Sequence, residues 1–403
     1  MTETALAKVK VLEYAQFVAG PYCTKLLADM GAEVIKIEPP NGGDQARRRE
    51  PFLKDAPHPE RSGLFFYLNT NKLGITLNPN TSTGRGIFKE LVKETDVLVE
   101  DNPPQAMAEL GLDYESLKDI NPRLIMTSIT PFGQTGPYRD YKAYHLNTYH
   151  GSGLAKILSD ILPDEVKQPL KAAGYLGDYD SGLSAAVALM GALYGRLFTG
   201  MGQHIDISKQ ESLITLERVE IGMYGNEGFS MMSTVAMQNM LGGLRHCKDG
   251  HVMLVIPMEH QWQALVELMG NPDWAQDERY KDEFSRAQHA EVLNNYITEW
   301  MSNYTKDEIF HRAQALSCPI GAVYTAEDLL ASEQLKAREF FVEVEHPEMG
   351  KVKCPAAPYR FSKTPWRVAR PAPLLGEHNE DIYCKRLGFS KEELVRMRGA
   401  GII

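Results

Sequence analysis

"VKVLEYAQFVAGPYCTKLLADMGAEVIKIEPP", residues 9–40, decides the fold. It opens as a strand, turns at Gly20-Pro21, and continues as a helix. A second strand runs from Glu33 to Glu38. Pro21 suits a first helical turn, where its missing N–H costs nothing. Gly31 suits the position just past the last turn, where a left-handed conformation is common. "VIKIE" alternates apolar and polar as a strand does. Strand, helix, strand is a βαβ unit, and βαβ units build parallel sheets with helices on both faces.

The alternation continues. "LGITLN" (73–78), "DVLVED" (96–101) and "RLIMTSIT" (123–130) read as strands. "TSTGRGIFKELVKET" (81–95) reads as a helix, and "QAMAELG" and "YESLKDIN" as short ones. The fold class is therefore α/β: a doubly wound, Rossmann-like large domain over residues 1–215. After "HIDIS" (204–208) the texture changes to a long, Met-rich, mostly helical stretch. A smaller α+β domain follows at 225–330, with a turn at Asp249-Gly250 and helices at "HQWQALVELMG" and "NNYITEWMSNY". Residues 335–403 form a C-terminal segment that returns to the large domain. It begins as a hairpin turning at Met349-Gly350 and ends in helices.

The chain has 403 residues, 43% hydrophobic and 24% charged, the balance of a soluble globular protein. A net charge of −10 argues against nucleic acid as partner, since phosphate neutralisation needs a basic face. The first fifteen residues lack a basic region followed by an apolar run, so a cytoplasmic location is expected. Five scattered cysteines and eleven histidines without metal-ligand spacing predict neither disulfides nor a metal site. The one local basic cluster is "ARRRE", with Arg47, Arg48 and Arg49, and it reads as a surface loop.

Chemistry concentrates at 174–208, "GYLGDYDSGLSAAVALMGALYGRLFTGMGQHIDIS". Fifteen residues between Asp180 and Arg196 carry no charge, which suits a helix packed deep inside the protein and is short for a membrane span. Asp178 and Asp180 stand at its start. Either could be an N-cap, which accepts from first-turn N–H groups. Either could instead be an ionised nucleophile steadied by the helix dipole, with Gly174, Gly177 and Gly182 leaving room for a ligand. "TGMGQ" (199–203) reads as a C-cap turn. Asn71 and Lys72 sit before a strand, and Lys142, Tyr144 and His145 follow a strand-end loop at the carboxyl edge, where parallel sheets bind ligands.

Together these segments resemble the class III CoA-transferases, the group that includes formyl-CoA and carnitine CoA-transferases and the α-methylacyl-CoA racemases. The resemblance rests on residues 18–44, 69–78, "NPRLIMTSITPFGQTGP" (121–137), 177–208 and "PAPLLGEH" (371–378), in order along nearly the whole chain. It implies that Asp178, not Asp180, is the nucleophile. Asp178 would attack an acyl-CoA thioester to give a mixed anhydride, and the freed thiolate would convert it to an aspartyl-CoA thioester. An incoming carboxylic acid would then leave as its CoA ester. The resemblance also implies CoA contacts from Val18, Ala19, Asn69, Asn71, Lys72, Asp101, Asn102, Lys142, Tyr144 and His145. It further implies a homodimer of interlocked chains.

This chain departs from several relatives at Pro39 and Glu109, where they carry basic residues, so Arg47 or Arg48 is the expected substitute for the nucleotide phosphates. Of the family's glycine-rich loop only "LGG" (241–243) is recognisable. A racemase would use Asp178 with a histidine aligned at Tyr144, and His145 is one place along. A nicotinamide dehydrogenase would need Glu38 on the ribose and three glycines where "FVAGPYCTKLL" has one. Met223, Tyr224, Phe229, Met231, Met232, Met237 and Met240 hint at an apolar or aromatic acid substrate.

Overall fold

The structure, a computed structural model, describes residues 4–160, 168, 170–228 and 241–403. It divides into two compact units: residues 1–156, 169–218 and 337–403, and residues 157–168 with 219–336.

The first unit is built on a six-stranded parallel sheet. Its strands are β1 (Lys10–Tyr14), β2 (Glu33–Glu38), β3 (Lys72–Thr76), β4 (Val97–Glu100), β5 (Ile125–Thr130) and β6 (His204–Ser208), in the order β3-β2-β1-β4-β5-β6. That is the doubly wound order, with its reversal between β1 and β4. Helix α1 (Ala19–Asp29) follows β1, α2 (Gly63–Asn69) precedes β3, and α3 (Ser82–Val92) follows it. Alternate strand residues feed opposite cores, as the two-residue pleat requires. Leu12, Leu98 and Met126 join α3's Phe88 and Leu91 on one face. Val11, Val97, Val99 and Ile125 join α1 on the other.

The apolar stretch forms α5 (Leu176–Thr199), after a short α4 (His145–Gly151). Ala185, Ala186, Leu189 and Ala192 pack into the α1 face of the sheet. Small residues let the helices close in: a Cβ on Gly182 would stand 2.5 Å from the Ala19 carbonyl oxygen. The helix is not enclosed all round, however. Leu183, Val187, Tyr194, Leu197 and Phe198 are exposed, the last at 74%. It is also 24 residues long, enough by length and composition to cross a membrane, yet its buried face belongs to the sheet core. Gly200, at φ +71°, ends it in the left-handed cap that "TGMGQ" suggested. β6 and α6 (Lys209–Ile214) follow.

A buried charge network ties the first three strands. Glu13 on β1 pairs with Lys36 on β2 at 2.7 Å and Lys72 on β3 at 2.8 Å, all fully buried. Lys36 also pairs with Asp44 at 2.7 Å. Asp44 accepts from the N–H groups of Phe17 and Ala46, and so holds the β1–α1 loop with Phe17 at φ +70°.

In the second unit β7 (Gly242–Cys247), β8 (Gly250–Val255) and β9 (Ile320–Ala322) form an antiparallel sheet, with the expected turn at Asp249-Gly250. Helices α7 (Glu259–Leu268), α8 (Ala290–Met301) and α9 (Lys306–Ala315) cover it through Trp262, Leu265, Leu293, Ile297 and Ile309. In the first unit, β10 (Phe341–His346) and β11 (Gly350–Pro355) make the expected hairpin. The chain then docks on β3, where the Tyr383 hydroxyl donates to the Thr76 carbonyl at 2.6 Å.

Candidate active site

At the switch point the loop after β1 meets the end of β4. Both Asp101 carboxylate oxygens accept from the Gln16 N–H, at 3.0 and 3.1 Å. Burial pushes the Asp101 carboxyl up to about 8, although Lys209 nearby pulls the other way. Val18 and Ala19 are buried at the start of α1. The Asn102 amide donates to Glu100 and to the Tyr14 carbonyl.

Asp178 lies in the first turn of α5, buried, with Tyr175 rather than an aspartate at the N-cap position. Its Oδ1 accepts from Lys209 Nζ at 2.7 Å, and among the described residues its Oδ2 has no partner. Lys209 is the first residue of α6, directly past β6. The helix start is capped from elsewhere: His145 Nε2 accepts from the Gly177 N–H at 3.0 Å. That bond fixes the tautomer, leaving the proton on Nδ1, which is buried without a partner. Burial lowers the His145 pKa and the charge of Asp178 opposes it. Tyr175 stands between His145 and Phe17, its ring 6.3 and 4.7 Å from theirs. The Arg49 guanidinium lies 5.8 Å over Phe17.

The expected ligand contacts separate into three groups. Asp178, His145, Asp101 and the β1–α1 loop surround or adjoin the carboxylate–ammonium pair. Lys142 and Tyr144 are exposed, Tyr144 at 82%. Asn69, Asn71 and Lys72 are spent internally. The Lys72 ammonium serves Glu13, the Pro21 carbonyl and Asn69 Oδ1, and Asn71 binds Asp29 and the backbone at Arg367, Ala369 and Arg370.

Several expectations need correction. Arg47 is not a surface residue: it is fully buried, doubly bonded to Glu38 at 2.7 and 2.8 Å, and its guanidinium also meets Glu60. It is therefore not free for a phosphate. Among the described residues, Arg48 reaches only the Gly42 carbonyl. The same pairing locks Glu38 away from any ribose, which removes the dehydrogenase's second requirement. The glycines leave less room than expected. A Cβ on Gly177 would meet Leu213 at 2.8 Å and His145 at 3.2 Å, and only Gly174 faces open space. Asp180 is not a cap either; its Oδ2 is buried without a hydrogen-bond partner. Met223 and Tyr224 are described, with Tyr224 exposed, while Phe229, Met231, Met232, Met237 and Met240 lie outside the described residues.

Lys209 was missed by the sequence reading. Its signal was positional: a cation immediately past "HIDIS", at the carboxyl edge where parallel sheets bind ligands.

A doubly wound sheet with a buried carboxylate, paired to a partly exposed ammonium beside its carboxyl edge, defines an α/β enzyme scaffold. Comparison with known proteins narrows the class. The profile of CoA-transferase family III matches residues 6–379. The chain is 32% identical to the formyl-CoA:oxalate CoA-transferase of Streptomyces coelicolor, over the full length of both. It is 32% identical to the succinyl-CoA–D-citramalate CoA-transferase of Chloroflexus aurantiacus, over 99% of this chain and 98% of that one. It is 31% identical to the succinate–glutarate CoA-transferase of Agrobacterium fabrum, over 94% of each. A crystal structure of a CaiB/BaiF family protein from Brucella suis superposes with a TM-score of 0.84 at 29% identity, covering 95% of this chain and 99% of the other. The chain belongs to CoA-transferase family III and is an enzyme that transfers CoA.

Proposed function

We propose that this enzyme moves CoA from an acyl-CoA to a short dicarboxylic acid through covalent intermediates on Asp178. The observation that carries the reading is a buried carboxylate with one oxygen held by Lys209 and the other, among the described residues, without a partner. Asp178 Oδ2 attacks the thioester, thiolate leaves, and a mixed anhydride forms. Thiolate then attacks Asp178 Cγ, releasing the donor acid and leaving an aspartyl-CoA thioester. The acceptor acid reverses these steps and departs as its CoA ester. Every intermediate hydrolyses in water, so a buried position favours transfer over loss. The acceptor class rests on three relatives named for oxalate, D-citramalate and glutarate, all dicarboxylic acids. Arg49, exposed on the Phe17 side, offers a guanidinium for the second carboxylate.

A second copy of the chain belongs to the proposal. The exposed apolar side of α5 is larger than scattered surface residues explain, and a homodimer would cover it.

Hydroxylamine trapping tests the chemistry. With a panel of acyl-CoA esters, Asp178 is expected to become a hydroxamate, located by peptide mass spectrometry. Asp178→Ala should lose the adduct and more than about 10³-fold in transfer rate, as removal of a nucleophile does. Deuterium entering the α-carbon of the ester in heavy water, with Asp178 unmodified, would replace this reading with the racemase one.

A further inference from the structure

We infer that Lys209 is a catalytic residue: its ammonium is the oxyanion site for both steps in which the Asp178 carbonyl carbon is attacked. The inference rests on the aspartyl-anhydride reading and adds a named role to it. Lys209 Nζ stands 2.7 Å from Asp178 Oδ1. If Oδ2 is the attacking oxygen, it becomes the bridging atom of the anhydride and Oδ1 becomes the carbonyl oxygen. Thiolate then adds to Cγ, a C–S bond forms, and the displaced electron pair falls on Oδ1. Collapse breaks the Cγ–Oδ2 bond, and the donor acid leaves as a carboxylate that carries Oδ2. The acceptor acid attacks the thioester at the same Cγ, with the charge again on Oδ1, and thiolate leaves. In both steps the developing anion is at hydrogen-bond distance from a cation already in place, which is the geometric requirement for oxyanion stabilisation.

The outer two steps differ. There the tetrahedral carbon belongs to the donor or acceptor acyl group, and the negative charge forms on an oxygen that Lys209 does not hold. The ion pair slows the first of these, because pairing Oδ1 withdraws charge from the carboxylate. An ordinary structural ion pair would affect folding and not the two inner steps selectively. Lys209 has the access such a role needs: it is partly exposed, and its positive charge is felt by both Asp101 and His145.

The test uses Lys209→Met and Lys209→Arg with the wild-type enzyme. The probe is whichever of formyl-, acetyl- or succinyl-CoA, radiolabelled in the acyl group, the wild type turns over fastest. Acceptor is omitted, and the reaction is followed at about pH 7 and pH 9. Wild type should release labelled acid as it forms the aspartyl-CoA thioester. Lys209→Met should take label onto Asp178. It should then hold the label, with acid release slower by about 10²–10³-fold, the usual cost of one oxyanion donor. Lys209→Arg should recover part of the release. A Lys209→Met enzyme that releases acid at the wild-type rate overturns the inference. So does one that takes no label at either pH while Lys209→Arg is active, since the cation would then serve the first step. Absence of a CoA adduct on Asp178 in the wild type, sought by peptide mass spectrometry, overturns the aspartyl reading itself, and this inference with it.

Discussion

His145 reaches the site as an acceptor. Free N–H groups in a first helical turn need partners, and Ser, Thr, Asp or Asn usually provides one from the N-cap. Here the N-cap is Tyr175, without a side-chain bond, and the ring of His145 serves the Gly177 N–H from another helix. A protonated ring would set N–H against N–H. Burial therefore keeps the ring neutral, with its pKa below the ordinary histidine value although Asp178 opposes the shift. The unfolded chain then binds the extra proton more readily. The bond stabilises the fold above the ordinary histidine range, and that contribution is lost as pH falls through that range and below. The identity of the ring matters less than its lone pair. His145→Gln, whose amide oxygen can accept the same bond, should keep transfer within about tenfold and most of the thermal midpoint. His145→Ala should lose about 1 kcal/mol, the ordinary worth of a cap. Steady-state rates and thermal melts of the two variants check this. An inactive His145→Gln that still exchanges no α-proton would mean that the ring itself touches substrate.

At the scale of elements, the first three strands are joined by charge as well as by hydrogen bonds. Glu13, Lys36 and Lys72 come from three adjacent strands and are fully buried. Burial works to raise the Glu13 carboxyl, but the two ammonium groups overcome it and hold it down to about 2. Its contribution is present in full above the ordinary glutamate value of 4.5 and is lost as pH falls through about 2. Glu13→Gln leaves two buried ammonium groups short of their shared counter-charge. It should destabilise the fold by about 3–5 kcal/mol at neutral pH, the cost of breaking a buried pair from one side. Urea midpoints from pH 7 down to about 2 should fall less for Glu13→Gln than for the wild type. Equal midpoints at neutral pH would show that water or a shift of Lys72 replaces the missing charge. The sequence offered no hint of this network. "VKVLEY" and "VIKIE" read as strands whatever their polar members do, because periodicity reports the pleat and not the partners one and two strands away. The same limit hid Arg47, which composition assigns to a surface loop and Glu38 draws inside.

Over the whole molecule, the parallel sheet was legible because each βαβ unit announces itself in some thirty residues of local pattern. The family was legible because several short motifs recur in fixed order. The neighbours of Asp178 were not, since Lys209 and His145 stand 31 and 33 residues away and only the closing of the sheet brings them together. The apolar stretch between Asp180 and Arg196 was read as interior on every side, and half of that reading fails for an instructive reason. An all-apolar helix satisfies two different burials with one sequence: Ala185, Ala186, Leu189 and Ala192 against the sheet, and Val187, Tyr194 and Phe198 against something the described residues do not supply. The division of size is the clue. The sheet-facing residues are mostly small and let α1 approach, whereas the outward ones are large, as interface anchors are. If a second copy covers them, charges placed there should separate the copies without disturbing the sheet. Val187→Asp with Tyr194→Asp should shift the sedimenting mass from twice the chain mass to that of one chain, at unchanged helical circular dichroism. Wild-type protein that sediments as a single chain at micromolar concentration would sink the homodimer and leave the stripe to a different partner.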